Sequence, residues 1–170
     1  MKRFDQFMNS ASLIFTLALV AYPASSACAA QSFAGRWSRI DTVCKFACTK
    51  EDPEPDFEIR ISIVLVQKGT IVCGVRDQNT LSDKAIVAGV RGKIVGTKLV
   101  MQTGDWEYDT IAPTFPFKPS EKNIALTRNG RLYVNGEVFT GKPFSVKDQK
   151  DYMEDEDRKG FFTACFKSTD

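Results

Sequence analysis

Past residue 30 the hydrophobic positions of this chain recur with a period of two. Between residues 57 and 76, Ile59, Ile61, Ile63 and Leu65 fall on one face, while Arg60, Ser62, Val64 and Val66 fall on the other. Lys68-Gly69-Thr70 breaks the run, and Ile71, Val72, Cys73 and Val75 carry the chain back. Successive side chains of a strand point to opposite faces, so this alternation predicts an antiparallel pair with one buried side. A helix would need apolar positions three and four apart.

The same device predicts further strands at residues 37–40, 84–90, 94–103, 106–110, 124–128 and 132–135. Arg91-Gly92-Lys93 is read as a turn, and Gly96 as a bulge or a close backbone approach. Asn129-Gly130 between two alternating runs is a strong hairpin signal, because a type I′ turn needs positive φ at both central residues. Residues 137–140 extend the second arm or add a last strand. About eight strands joined by tight turns, without long helical crossovers, predict an all-β antiparallel fold. A meander of that length has two raw edges unless it closes on itself, so an up-and-down barrel is expected, with a two-sheet β-sandwich as the alternative.

Both ends of the chain depart from this pattern. Lys2 and Arg3, the apolar stretch 13–21, and the small residues around Ala27-Cys28-Ala29 or Cys28-Ala29-Ala30 read as a cleaved signal peptide over residues 1–30. The stretch is too short to span a bilayer. Cys28 is the position a lipid anchor would use, but Ser25 stands where a lipoprotein leader carries Leu. Residues 31–170 then form one domain with one core. Its tail, residues 145–170, is charged over 146–157 and apolar over 161–166. Phe161 and Cys165, and Phe162 and Phe166, are four apart, as on one helix face. Gly160 is the expected interruption, giving a broken helix or a helix followed by a docked terminal segment.

Composition narrows the chemistry. The formal net charge is +2, and loss of Lys2, Arg3 and Asp5 with the leader leaves +1, a balance that points to neither nucleic acid nor lipid. Cys44, Cys48, Cys73 and Cys165 remain past residue 30, an even number that suits an oxidising compartment outside the cytoplasm, periplasmic or extracellular. Of the three possible pairings we favour Cys44–Cys48 as a local staple and Cys73–Cys165 as a long-range tie. A four-cysteine zinc site would need closely spaced pairs such as C-x-x-C, and only one pair is close, at a different spacing. The chain holds no histidine, which removes the usual general base and the commonest metal ligand. No nucleophile elbow, phosphate-binding loop or dinucleotide motif is present. The chain therefore reads as a non-enzyme without cofactor or metal.

Gly35-Arg36-Trp37 resembles the G-x-W signature that opens the first strand of lipocalins and other calycins. The resemblance implies a calycin-like barrel in which Trp37 plugs one end. The family's later T-D-Y triplet is missing, and Arg128 or Arg131 would be the arginine that stacks on the Trp. Small exported bacterial inhibitors of proteases and lysozymes look similar at the same coarse level.

The sequence supports two functional readings. In the first, a hollow barrel binds a small apolar molecule near Trp106, Tyr108, Phe115, Phe117 and Tyr133, with Phe115 and Phe117 in the proline-rich loop as a lid. In the second, the barrel is solid and the loop carrying Glu51, Asp52, Glu54 and Asp56 blocks another protein, such as a protease, lysozyme or toxin. Asp155, Asp157 and Gly160 have part of the spacing of a calcium loop, but Lys159 and Phe166 occupy ligand positions and argue against it.

Overall fold

The structure, a computed structural model, describes residues 31–43, 57–79, 85–108 and 110–168. The strands are β1 (Gly35–Val43), β2 (Phe57–Lys68), β3 (Ile71–Asn79), β4 (Ala85–Val95), β5 (Lys98–Gly104), β6 (Glu107–Tyr108), β7 (Pro119–Arg128), β8 (Arg131–Val134) and β9 (Glu137–Pro143). Among the described residues two helices follow, α1 (Val146–Glu154) and α2 (Glu156–Lys167). Around the wall the order is β1, β2, β3, β4, β5, β7, β8, β9 and back to β1, every pairing antiparallel. This is a closed eight-stranded up-and-down barrel, as the alternation requires, and not a sandwich. β6 lies outside it, paired to β4 through Ile86↔Tyr108 and Val87↔Glu107.

The expected number of barrel strands is met by a different set. Residues 106–110 supply only the two-residue β6, while residues 137–143 supply the eighth wall strand. A second Asn-Gly, Asn135-Gly136, makes that possible: both residues have positive φ, +50° and +91°, as do Asn129 and Gly130 at +51° and +69°. The break between β4 and β5 also falls elsewhere than expected. Arg91-Gly92-Lys93 is continuous strand, and Gly96, at φ +62°, makes the turn. Gly92 is where a barrel-facing side chain has no room, since a Cβ there would sit 2.7 Å from the Met101 Cβ.

Alternation sends one row of each strand inward. Trp37, Ile61, Ile63, Leu65, Val72, Val90, Leu99, Met101, Leu132 and Phe139 fill the barrel. One end is apolar. There the segment 31–34 crosses from β2 to β7: the Phe33 N–H donates to Gln67 Oε1, and Gln31 Nε2 donates to Thr127. Phe33 is fully buried, and the Trp37 indole N–H donates to its carbonyl at 3.1 Å, which satisfies the one polar group the ring carries. The indole lies back over Gly35, where a Cβ would come within 2.9 Å of it. That contact is a physical reason for glycine two places before the Trp, and the Trp37 ring is buried at this end. Arg128 and Arg131 face outward, on the other side of the wall from the indole, so neither stacks on it.

Outward positions on β2, β3 and β4 are apolar as well, and the helices cover them. Val66, Cys73, Val75 and Val87 pack with Phe161, Phe162 and Cys165, with Tyr152, Met153 and Phe166 at the margin. Ser145 and Asp148 cap α1 reciprocally. The break in the tail comes at Asp155 and not at Gly160. Asp155 leaves helical geometry (ψ 130°), accepts the Asp157 N–H as N-cap of α2 and pairs with Arg158. Gly160 sits within α2. Cys73 and Cys165 form a disulfide across 92 residues, with Cα atoms 6.3 Å apart, tying α2 to β3. Cys44 and Cys48 lie outside the described residues.

Candidate functional site

The second end of the barrel is built from the same inward rows, but there they turn polar. Arg39 on β1 is in phase with Trp37, Arg76 on β3 with Val72, Glu121 and Asn123 on β7 with Ala125, and Glu137 on β9 with Phe139. Ile63, Arg76, Glu121, Asn123, Val134, Asn135, Glu137 and Phe139 line a cleft of about 270 Å³.

Its polar groups hold one another. Arg39, adjoining the lining residues Glu137 and Phe139, has its guanidinium 2.7 Å from Asp41 and 2.6 Å from Glu137, and 5.2 Å over the Phe139 ring. The Arg76 guanidinium is 3.1 Å from Glu121 and lies 5.0 Å over the Trp106 ring. Both arginine side chains are only 18% exposed. Their Nε–H groups are buried and have no acceptor among the described residues. Beneath them Asn123 donates to the Thr103 hydroxyl at 3.1 Å, and Asn135 donates to Asn123 Oδ1 at 2.6 Å while its own Oδ1 accepts the Ile124 N–H. The amide of the second Asn-Gly turn is thus a strut of the cleft as well as a turn former. Planar guanidinium, amide and carboxylate groups around an apolar floor (Ile63, Val134, Phe139) can donate and accept at fixed angles. Each carboxylate of the lining faces an arginine, Glu137 on Arg39 and Glu121 on Arg76.

Of the five aromatic candidates, only Trp106 reaches this site. Tyr108 is on β6 outside the barrel and is 67% exposed. Tyr133 faces outward from β8, opposite Val138. Phe115 and Phe117 form no lid over an end of the barrel. They pack edge-to-face on each other at 5.5 Å, Phe115 packs on Phe161 at 6.1 Å, and Phe117 covers Gly89 on the outer wall. Glu51, Asp52, Glu54 and Asp56 lie outside the described residues, but the strand ends that their segment joins, Val43 and Phe57, pair at the polar end.

Arg39, Arg76, Glu121, Asn123, Asn135 and Glu137 are missed when candidates are chosen by aromatic type. Their signal is a charged or amide residue falling in phase with an apolar inward row. Among the described residues no group of three His, Cys, Asp or Glu side chains could hold a metal ion, and no helix is long and apolar enough to cross a membrane. No protein-family model, curated protein or solved structure matches the chain.

Proposed function

We propose that this is a non-catalytic binding protein that holds a small polar molecule in the cleft at the polar end of the barrel. The observation that carries the reading is the pair of largely buried arginines, each stacked on an aromatic ring and each with an Nε–H lacking an acceptor among the described residues. A buried donor without a partner is costly, and a ligand carbonyl, carboxylate or hydroxyl would relieve it. The side chains filling the barrel, among them Leu65, Leu99 and Leu132, favour a polar ligand at this end over an apolar one enclosed within. The disulfide supports the companion expectation of an exported protein.

Trp106 provides the assay. A panel of amino acids, short peptides and mono- and disaccharides is titrated while tryptophan emission is followed, with Trp106→Phe identifying the responding ring. Binding is expected to fall at least tenfold in Arg76→Gln. A fatty acid that binds equally well to wild type and Arg76→Gln would overturn the reading.

A second reading, a protein that blocks another protein, is favoured by one observation: Val43 and Phe57, the strand ends that flank the acidic residues 44–56, pair at this same end. Retention of a basic hydrolase such as lysozyme on the immobilised chain, lost when Glu51, Asp52, Glu54 and Asp56 are replaced by Lys, would establish it. Retention unchanged by that reversal would remove it.

A further inference from the structure

The side of the barrel away from the helices carries a separate pattern. Along β4, β5, β7, β8 and β9 the outward positions hold Lys93, Lys98, Lys122, Arg128 and Arg131. The carboxylates of these five strands are Glu121 and Glu137, and both point inward, so this outer wall has no counter-charge of its own. Arg91 and Lys142 do not belong to the patch: Arg91 donates to the carbonyls of Cys165 and Ser168, and Lys142 acts on Asp148. Between the cations stand exposed aliphatics, with Val95 60%, Ile124 47% and Val138 40% accessible. Lys93, Val95, Val100, Gln102 and Lys122 border a groove of about 470 Å³ that mixes the two chemistries and ends at Ile71 and Arg91, on the helix side. The helices that cover the other side carry Asp148, Asp151, Glu154, Glu156 and Asp157 beside Lys147, Lys150, Arg158, Lys159 and Lys167, so their formal charges cancel.

We propose that this wall docks on an anionic lipid surface, with the lysines among headgroup phosphates and the aliphatic tips at the acyl boundary. Charge complementarity commits the face to an anionic occupant. The residue types favour lipid over protein. The cores of protein interfaces are poor in Lys, whereas here Lys outnumbers Arg three to two, and the outward aromatic of these strands, Tyr133 beside Val138, is of a type that also sits at the headgroup level of membranes. Lysines at a charged membrane surface each strengthen binding by roughly fivefold, and they need no fixed partner geometry. A helical side without net charge opposite a cationic wall would also orient the molecule, wall toward the lipid.

The test is co-sedimentation of the full chain with vesicles of mixed phosphatidylglycerol and phosphatidylcholine and with vesicles of phosphatidylcholine alone. Wild type is compared with Lys93→Gln/Lys98→Gln/Lys122→Gln, so any contribution of residues 1–30 is common to both. An unchanged near-ultraviolet circular dichroism spectrum verifies the fold of the variant. Wild type is expected to prefer the anionic vesicles, and the triple variant to lose on the order of 100-fold in partitioning to them. Equal binding to both vesicle types overturns the proposal, as does a triple variant that binds like wild type. Self-association of wild type without vesicles, abolished in the triple variant while vesicle binding is retained, would overturn it in favour of a second copy of this chain.

Discussion

The two sides of this barrel begin from the same alternation and end differently. Under the helices, the outward positions of β2, β3 and the first part of β4 hold Val64, Val66, Cys73, Val75 and Val87, all buried. On β5, β7, β8 and β9 the outward row mixes Lys and Arg with exposed Val and Ile. An apolar outward row needs a cover, and the chain supplies one in α1 and α2. A row interrupted by cations can face water, because long charged side chains shield the aliphatics between them. One can therefore tell from a strand's outward row whether the fold has a third layer over it.

The contrast can be broken most directly at Cys165. Cys165→Ser, or reduction of the wild type, frees α2 from β3 and should lower stability by about 4–5 kcal/mol on chain-entropy grounds. In a thermal melt that is a fall of about 10–15 °C. An unchanged melt in strong reductant would show that the helices hold without the tie. Phe162→Ala removes a ring that is 2% exposed and packed on Tyr152, Phe161 and Phe166. Its cost should be on the order of 3 kcal/mol by denaturant titration. Gly160→Ala acts in the opposite direction. Gly160 is exposed within α2 and nothing lies near its missing Cβ, so a gain of about 0.5–1 kcal/mol is expected.

A subtler test lies at the edge of the covered side. Burial pushes the Asp77 carboxyl above its ordinary value, against a hydrogen bond from Ser62 and the charges of Arg36 and Arg158 that hold it down. A raised folded value means that stability is fully present below the unfolded pKa, about 3.9, and is lost as pH rises through the folded one. Asp77→Asn should therefore melt above wild type at neutral pH. The difference should vanish as pH falls below the unfolded value. The smallest effect belongs to the bare side: Ile124→Thr should stay within about 0.5 kcal/mol of wild type. A loss there comparable to that of Phe162→Ala would erase the distinction between the two sides.

The barrel was legible because Ile59, Ile61, Ile63 and Leu65 could be assigned to one face by counting. The features that failed to show were degenerate at the level of residue type. Gly92 and Gly96 are the same letter, yet one is there because the barrel interior has no room and the other because a turn needs positive φ. Asp and Gly are both residue types that interrupt helices, and the break falls at Asp155, whose side chain caps the next helix, while Gly160 stays helical. The cleft was hidden for a related reason. Arg76 in phase with Val72, or Asn123 in phase with Ala125, looks along one strand like the end of a buried row. The rows come together as a site only when eight strands are wrapped around one axis. Trp106 could be singled out because of its type, whereas Tyr133 and Phe117 show that a large ring on a strand or loop is as readily part of the outer packing.

The pairing that completes the barrel, Gly35↔Pro143 through Ser38↔Thr140, unites the first strand with the last. At that seam the Thr140 hydroxyl reaches the Ser38 carbonyl across 102 residues. Contacts so distant in sequence form late, since the entropy of closing the intervening chain must be overcome before they contribute. A nascent chain that has not yet delivered β9 keeps the free edge of β1 available to other strands, where misassociation would begin.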